Sequence, residues 1–553
     1  MKLSIIKFLI VLIFILGIIL RFFRLTSYPS GFHIDEATLG YNSYSILLTG
    51  RDENNSFLPL YSQSFGLDRA LGNFLVTAAS IATFGLNEFA IRAPFAFFGI
   101  LTIPLFYLFA KEISTNRYFS LIATFLLTIS PWHIDMVRAS SETSVSLFFI
   151  LFGQLLFIKG IKHKNLWLLF ISVISFFVSI WFYHAAIGFL IMTVPFIGFF
   201  FIKKEANIRV RKMLIVTLVA SLLLFFSFLV FGKGGIDRFS QVGFHRDQSV
   251  LNEQNKMFFE EGPNHIFQAR FFHNKLITYS RAAVKNYSQY LNLDFLFLNA
   301  GKPPRYSPPA MGLIYVFELP FLLYGIYKAI IGKSVFFKMV LGLLLLSPLV
   351  AALTYEYSPN MQRSFFMVPY LEIMITLGIF SSLSLLTRHR LVIYSSVIIF
   401  SLSMLYYLHQ YYIHFPVHDP LYRNDGAKEL VKAVTSYKNS YSKIYVTNDL
   451  ESPYHYFLFF NRFDPKSFLE KYGQAKNMLG GWLFEDQIFF STDRCPSQNK
   501  NIIAEGNILF ADSGQCRFEK EESDRYTVVK LITRMDGSIV YRLLAKKNSP
   551  QGI

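Results

Sequence analysis

From residue 5 to residue 409 long apolar runs alternate with short polar stretches, and beyond residue 409 the pattern becomes mixed. Eleven runs, at about 5–23, 93–111, 118–132, 143–159, 166–182, 185–202, 212–231, 312–331, 335–354, 364–386 and 391–409, lie near the ~20 residues that a helix needs to cross a hydrocarbon core. A segment in lipid must satisfy its own backbone hydrogen bonds, so each run is expected to be helical. The stretch GNFLVTAASIATFG (72–85) has roughly 14 residues, short for a crossing, and reads as a juxtamembrane helix.

After residue 409, GAKELVKAVTSYK predicts a helix, KIYVTND a strand, SPYHYFLFF a helix, and YTVVKLI with SIVYRLLA a pair of strands. No fixed-period repeat, heptad run or long low-complexity tract is visible. The expected architecture is an α-helical polytopic membrane protein with about 11 transmembrane helices (1–409) and a small soluble α/β domain (410–553).

Composition agrees: the chain is 53% hydrophobic and 18% aromatic, outside the usual soluble globular range. The net charge of +17 would suggest nucleic acid in a soluble protein, but here many cations fall in short loops between spans. Loops 111–117, 159–164, 203–212, 331–333 and 388–390 are basic and occur at every second connection, which assigns them to the cytoplasm. The alternate connections, including 24–92, 131–142, the Tyr183–His184 turn, 232–311, 355–363 and everything after 409, then lie outside. The first run carries Lys2 and Lys7 at its N-terminal end, lacks a small-residue cleavage site and is followed by RFFRL, so it reads as a retained anchor. Both cysteines, Cys495 and Cys516, fall in the exported part, either as a disulfide or as two thiols.

The first outer segment opens with Asp35 and Glu36 just before an apolar helical pattern, ATLGYNSYSILL. Asp35 is expected at the N-cap, where the helix dipole favours an ionised carboxylate. Such a group at the membrane face can take a proton from a hydroxyl nucleophile; the commoner fate of an Asp before a helix is simple capping.

The motif P-x-G-F-H-x-D-E-A-x-x-G-Y-N (29–42), followed by T-G-x-D-E (49–53), resembles bacterial members of glycosyltransferase family 39. These are related to protein O-mannosyltransferases and the lipid A aminoarabinose transferase, within the GT-C class. The resemblance continues through GLNEFAIR (85–92), SPWHIDMVRASSE (130–142), the Tyr183–His184 pair, FHNKL (272–276), NYSQYLNLDFLF (286–297) and NMQRSFFMVP (360–369). It implies a GT-C-like membrane domain whose first outer loop carries the catalytic acid, which maps onto Asp35 with Glu36 beside it. It also implies a donor sugar on a polyprenyl phosphate.

A lipid-phosphate donor needs cations at the interface. Arg138 and Glu142 lie one helical turn apart and would share a face if that end is helical; an i, i+4 ion pair is the plain alternative. His133 is a candidate sugar or phosphate ligand, or with Trp132 part of an interfacial belt. Arg363 and Arg92 precede spans and suit bidentate phosphate binding, although snorkelling is commoner there. Tyr183 and His184 either touch the sugar or support their turn, and Lys302 and Arg305 end the long loop where they would close over a donor. Glu318 and Glu372 fall inside spans, where a charge costs on the order of 3 kcal/mol, so both are expected to face the bundle interior, paired with Lys338 or a hydroxyl.

FGKGG (231–235) lacks the phosphate-loop pattern and reads as a span exit. No His or Cys cluster has metal-ligand spacing, and a divalent cation at Asp35 and Glu36 is the one metal site the sequence leaves open.

The expected function is transfer of a hexose such as mannose from a polyprenyl-phosphate carrier to a hydroxyl on protein, glycan or lipid. The expected place is the outer face of the cell (plasma or inner) membrane, with the bilayer, donor and acceptor as partners and no nucleic acid. Two rivals stand beside it. A transporter or lipid-linked saccharide flippase would show charged or broken helices in repeated halves. A membrane-anchored binding protein would carry its activity in 410–553.

Overall fold

The computed structural model of the chain describes residues 2–64, 67–204, 208–231, 243, 247–386, 390–418, 420–450, 452–472, 481–499, 502, 507–517 and 520–547. Gly232–Gly235 of the FGKGG stretch therefore lie outside the described residues. The chain divides into two compact units, Met1–Phe23 with Phe95–His409, and Arg24–Pro94 with Gln410–Ile553. The 24–92 segment, read from the sequence as a loop of the membrane domain, thus belongs with the C-terminal region.

Every expected span contains a helix: Lys2–Phe22, Glu88–Ile113, Arg117–Ile129, Glu142–Lys162, Leu166–Ile180, Ala185–Lys204, Ile208–Phe231, Leu319–Ile331, Val335–Leu346, Val368–Leu386 and Arg390–His409. Among the described residues six helices are long and apolar enough to cross a bilayer, or seven if a pair bent by 50° counts as one span. Part of the difference from eleven is one of length, since Leu166–Ile180 and Leu319–Ile331 are short, whereas Ile208–Phe231 and Arg390–His409 have 24 and 20 residues. Leu166–Ile180, for example, has 15 residues, about 22 Å of helix against a core of about 30 Å. The chain is a multi-pass helical membrane protein.

The bent pair is Arg117–Ile129 followed by Pro131–Arg138, with Pro131 at the first position of the second helix, where its missing N–H costs nothing. A second break follows at Ala139–Ser141, where Ser140 has φ +54°. Arg138 ends one helix and Glu142 begins the next, so the continuous turn expected to align them does not exist.

Within this unit, helices 319–331 and 368–386 approach at backbone distance. A Cβ on Gly325 would stand 1.8 Å from the Met374 carbonyl oxygen, and one on Gly378 1.8 Å from that of Phe321. Small residues permit this crossing. Hydroxyls tie the 142–162 and 166–180 pair together, Ser172 donating to the Gly153 carbonyl at 2.8 Å and Ser175 to that of Phe149 at 2.7 Å.

Trp132, expected at the interface, is fully buried, and its Nε1 donates to the Met361 carbonyl at 2.9 Å. Glu318 and Glu372 are buried inside the bundle, with Glu318 accepting from the Tyr315 N–H at 3.0 Å. Lys338 is exposed and pairs with neither.

The second unit is α/β. Strands β1 (Tyr61–Ser64) and β2 (Leu67–Ala70) form an antiparallel hairpin that runs into helix Leu71–Phe84. In the C-terminal part, β3 (Lys443–Val446), β4 (Trp482–Phe484), β5 (Ile488–Phe490), β6 (Ile508–Ser513), β7 (Tyr526–Thr533) and β8 (Ile539–Lys546) make one mixed sheet in the order β4-β5-β3-β6-β8-β7. β3 runs parallel to β5 and β6, and the other pairs are antiparallel. The helices expected at 426–438 and 452–460 are present as Ala427–Tyr437 and Pro453–Phe460. β6 is buried at every position, which is why ILFADS carries no alternating pattern. Cys495 and Cys516 are joined in a disulfide.

Candidate functional site

Helix Ile34–Thr49 presents the acidic pair. Its N-cap is His33, not Asp35: the His33 ring accepts the Asp35 N–H at 3.1 Å, while Glu36 reaches back to the His33 N–H at 3.3 Å. The segment H-I-D-E is thus a capping box with histidine in the serine position. At the other end Gly50 takes φ +72° and returns its N–H to the Ile46 carbonyl. Gly40 leaves room for Phe459, whose ring lies 4.8 Å from Phe32; a Cβ there would come within 2.5 Å of the Phe459 ring.

The two neighbouring carboxylates have opposite surroundings. Glu36 is 3% exposed and held by Arg92 Nε at 2.7 Å, Arg92 Nη2 at 3.1 Å and Arg423 Nη2 at 2.7 Å. Burial opposes its charge, but the Arg92 and Arg423 guanidiniums outweigh burial and hold its pKa down at about 2. The remaining donors of Arg92 go to the carbonyls of Leu25, Thr26 and Gly31, and Arg423 Nε goes to that of Ser30. Glu36 and Arg92 are committed to each other and to the loop backbone, so they anchor the loop and are not placed to meet a substrate.

Asp35, by contrast, is 26% exposed in its side chain, with Oδ1 4.0 Å from Arg69 Nη2 and Oδ2 3.6 Å from His33 Nδ1. Arg69, on β2, also donates to the Asp35 carbonyl at 2.7 Å. The second acidic pair of the segment is internal as well. Asp52 closes a turn through Asn54, Ser56 and Ser62, and Glu53 meets His455 Nε2 at 2.7 Å. Asp35 is therefore the accessible carboxylate of the four. Because Glu36 is taken by two guanidiniums, Asp35 and Glu36 do not form a two-carboxylate cradle for a divalent cation. Among the described residues no three His, Cys, Asp or Glu side chains converge as metal ligands.

In the first unit, the Arg138 guanidinium is buried and donates to the carbonyls of Leu20 and Phe23, both at 2.9 Å, at the end of helix Lys2–Phe22. Arg21 does the reciprocal, donating to Leu127 and Thr128 carbonyls at the end of helix Arg117–Ile129 and meeting His133 Nδ1 at 2.9 Å. Both arginines satisfy orphan carbonyls at helix C-termini, where a cation is favoured. His133 is buried beside Arg21, and the neighbouring Asp135 accepts from Tyr407 at 2.6 Å. Arg138 and His133 thus sit in an interior cluster; Arg21, Asp135 and Tyr407 are its members that sequence reasoning missed.

Two other loops zip together. Lys302 N–H donates to the Pro359 carbonyl at 3.1 Å and Met361 N–H to that of Lys302 at 3.0 Å, bringing Lys302, Arg305 and Arg363 onto adjoining loops. Arg305 lies 4.8 Å over the Tyr306 ring, and Tyr306 reaches Gln362 at 3.4 Å. Arg363 donates to Thr354 Oγ1 at 2.7 Å and contacts Glu356 at 3.3 Å, while Lys302 is exposed. Tyr183 packs 6.1 Å from Phe366, next to half-buried His184.

The chain is a multi-pass helical bundle with a polar segment after its first span and an α/β C-terminal region, and its fold is similar to that of GT-C proteins. Residues 11–232 match a family model described as dolichyl-phosphate-mannose-protein mannosyltransferase. The apo oligosaccharyltransferase of Archaeoglobus fulgidus has a similar fold, with a TM-score of 0.50 and 12% identity, over 82% of this chain and 63% of that one. ArnT from Cupriavidus metallidurans bound to undecaprenyl phosphate aligns over 100% of this chain and 99% of that one, at 11% identity and a TM-score of 0.41. An uncharacterized protein of Aquifex aeolicus (strain VF5) is 27% identical over 170 residues, 31% of this chain and 32% of the relative. The chain thus spans less than two thirds of the oligosaccharyltransferase and about a third of the Aquifex protein.

Proposed function

We propose that this protein is an integral membrane glycosyltransferase that moves a sugar from a polyprenyl-phosphate carrier to a hydroxyl acceptor on the non-cytoplasmic face. The observation that carries the reading is the split between the two acidic neighbours. Glu36 fixes the loop through buried ion pairs, and Asp35, one residue earlier in the first helical turn, keeps an accessible carboxylate with Arg69 alongside. In this reading Asp35 takes the proton from the acceptor hydroxyl as it attacks the anomeric carbon. A single displacement of this kind inverts the configuration at that carbon. A leaving phosphate needs cations, and Lys302, Arg305 and Arg363 on adjoining loops of the helical unit have that chemistry. The match of residues 11–232 to a mannosyltransferase family supports a hexose such as mannose, and favours an enzyme over a transporter. The alternation of basic loops and the Cys495–Cys516 disulfide support placing the C-terminal region outside the cytoplasm.

The test is transfer from labelled polyprenyl-phosphate sugars by the purified full-length protein, wild type against Asp35→Asn. A loss of about 100-fold or more in turnover, with melting temperature unchanged, is expected for removal of a general base. Full activity in the variant would overturn the assignment.

A further inference from the structure

The described part of the long connection before the eighth span forms a helical hairpin, Gln248–Phe272 and Lys275–Tyr290, joined at His273–Asn274. The first helix is 25 residues long but cannot cross a bilayer. It holds Glu253, Lys256, Glu260, Glu261 and Arg270, and it is kinked after Pro263, with His265 at non-helical φ and ψ. Despite that polarity, the turn region exposes Ile266, Phe267, Phe271, Phe272, Leu276 and Ile277, six large apolar side chains within twelve residues. Phe267 is 79% and Leu276 77% exposed, more than most side chains on the outside of the spans. Surfaces of this kind mark interaction sites.

Charge and anchoring identify what covers it. Between residues 262 and 293 there are four lysines and arginines and no aspartate or glutamate. Arg281 faces Glu253 at 3.8 Å, while Arg270, Lys275 and Lys285 have no ion pair among the described residues. The base of the hairpin is fastened to the ends of two spans. Tyr287 donates to the Leu345 carbonyl at 2.8 Å near the end of helix Val335–Leu346, Asn286 Nδ2 donates to the Ala352 carbonyl at 3.4 Å at the end of the span Val335–Ala352, and the Asn360 N–H donates to Tyr290 at 3.2 Å just before Phe365–Leu383. An apolar tip whose charged side chains from residue 262 to residue 293 are all cationic, with Glu261 at its edge paired to His273 at 2.7 Å, has the chemistry of an interfacial segment. We infer that this hairpin lies in the surface of an anionic bilayer, with the 266–277 aromatic and aliphatic side chains among the acyl chains and Arg270, Lys275 and Lys285 at lipid phosphates.

The full-length protein is reconstituted in vesicles of phosphatidylcholine with phosphatidylglycerol, with a spin label at Phe267→Cys or Leu276→Cys, and collisions with oxygen and with a polar nickel chelate are measured by power saturation. Reference labels are Val11→Cys in the first span and Met535→Cys, exposed on the β7–β8 turn. The expected result is oxygen-dominated relaxation approaching that of Val11, falling toward the Met535 value when Arg270→Gln and Lys275→Gln are introduced or the phosphatidylglycerol is omitted. Nickel-dominated relaxation like that of Met535 in the unmodified hairpin would overturn the inference. Exclusion of both relaxants with spin–spin broadening would also overturn it, by making the tip a contact between two copies. All these positions are exposed, so the substitutions leave the fold intact.

Discussion

Replacing Glu36 by Gln removes the one anion that two buried guanidiniums share, while keeping the side chain's shape. The carboxylate's pKa of about 2, against an ordinary 4.5, is a difference of about 2.5 units, or about 3 kcal/mol of stability at neutral pH. Loss of one partner from a buried pair falls in the same range, about 3–5 kcal/mol, because the other charges stay behind without it. For a folding unit of this size that is roughly 2–4 °C per kcal/mol, so the melting temperature of Glu36→Gln should fall by about 6–12 °C at pH 7. The pH dependence supplies the sign. A carboxylate with a depressed folded-state pKa contributes fully above about pH 4.5, and the contribution disappears as pH falls toward about 2. The gap between wild type and variant, measured by thermal unfolding in detergent, should therefore be constant from pH 7 to about 5 and close between pH 4.5 and 2. A variant within 1 °C of wild type at pH 7, on the order of a tenth of the expected shift, would refute the reasoning, as would a gap that is independent of pH. Asp35→Asn, at an accessible position, should show no such gap.

Three further outcomes follow from the geometry. Replacing Cys495 and Cys516 with Ser opens a loop whose ends are 21 residues apart and should cost about 3 kcal/mol, read as a drop in the denaturation midpoint of the C-terminal region that reducing agent reproduces in the wild type. Gly378→Leu places a side chain where even a Cβ would sit 1.8 Å from the Phe321 carbonyl, so it should abolish a monodisperse peak in size-exclusion chromatography, whereas exposed Leu402→Ala should not. A chain ending at residue 409 lacks Arg423, and tryptic cleavage after Arg92, which is buried in the full chain, should accelerate at least about tenfold, the equivalent of about 1.4 kcal/mol in local opening.

The helices were readable because twenty-residue apolar runs have few alternatives, and β7 and β8 because each is an eight-residue run rich in β-branched and aromatic residues with a turn between them. Other features had no local signal. β6 is buried throughout and shows no period, and β4 and β5 are three residues each, too short for one. Trp132–His133 looked interfacial because it follows an apolar run, but the bend at Pro131 turns that pair into the interior. Asp35 looked like a cap because histidine is a rare one, although the H-x-x-E spacing at His33 and Glu36 was present to be read. Most telling is Arg423, which lies 387 residues from the carboxylate it neutralises, a separation across which periodicity and spacing carry no information. Deleting 410–553 would therefore remove Arg423, one of the two guanidiniums that hold Glu36.

That separation also sets a schedule for biosynthesis. At a translation rate of about 5–20 residues per second, Arg423 leaves the ribosome on the order of 20 to 80 s after Glu36. For that interval Glu36 lacks the Arg423 guanidinium, and the loop that bears Asp35 is incomplete while the bundle is being threaded into lipid. The loop that bears Asp35 thus acquires the second guanidinium of its buried ion pair only after all the spans from 5 to 409 have been made.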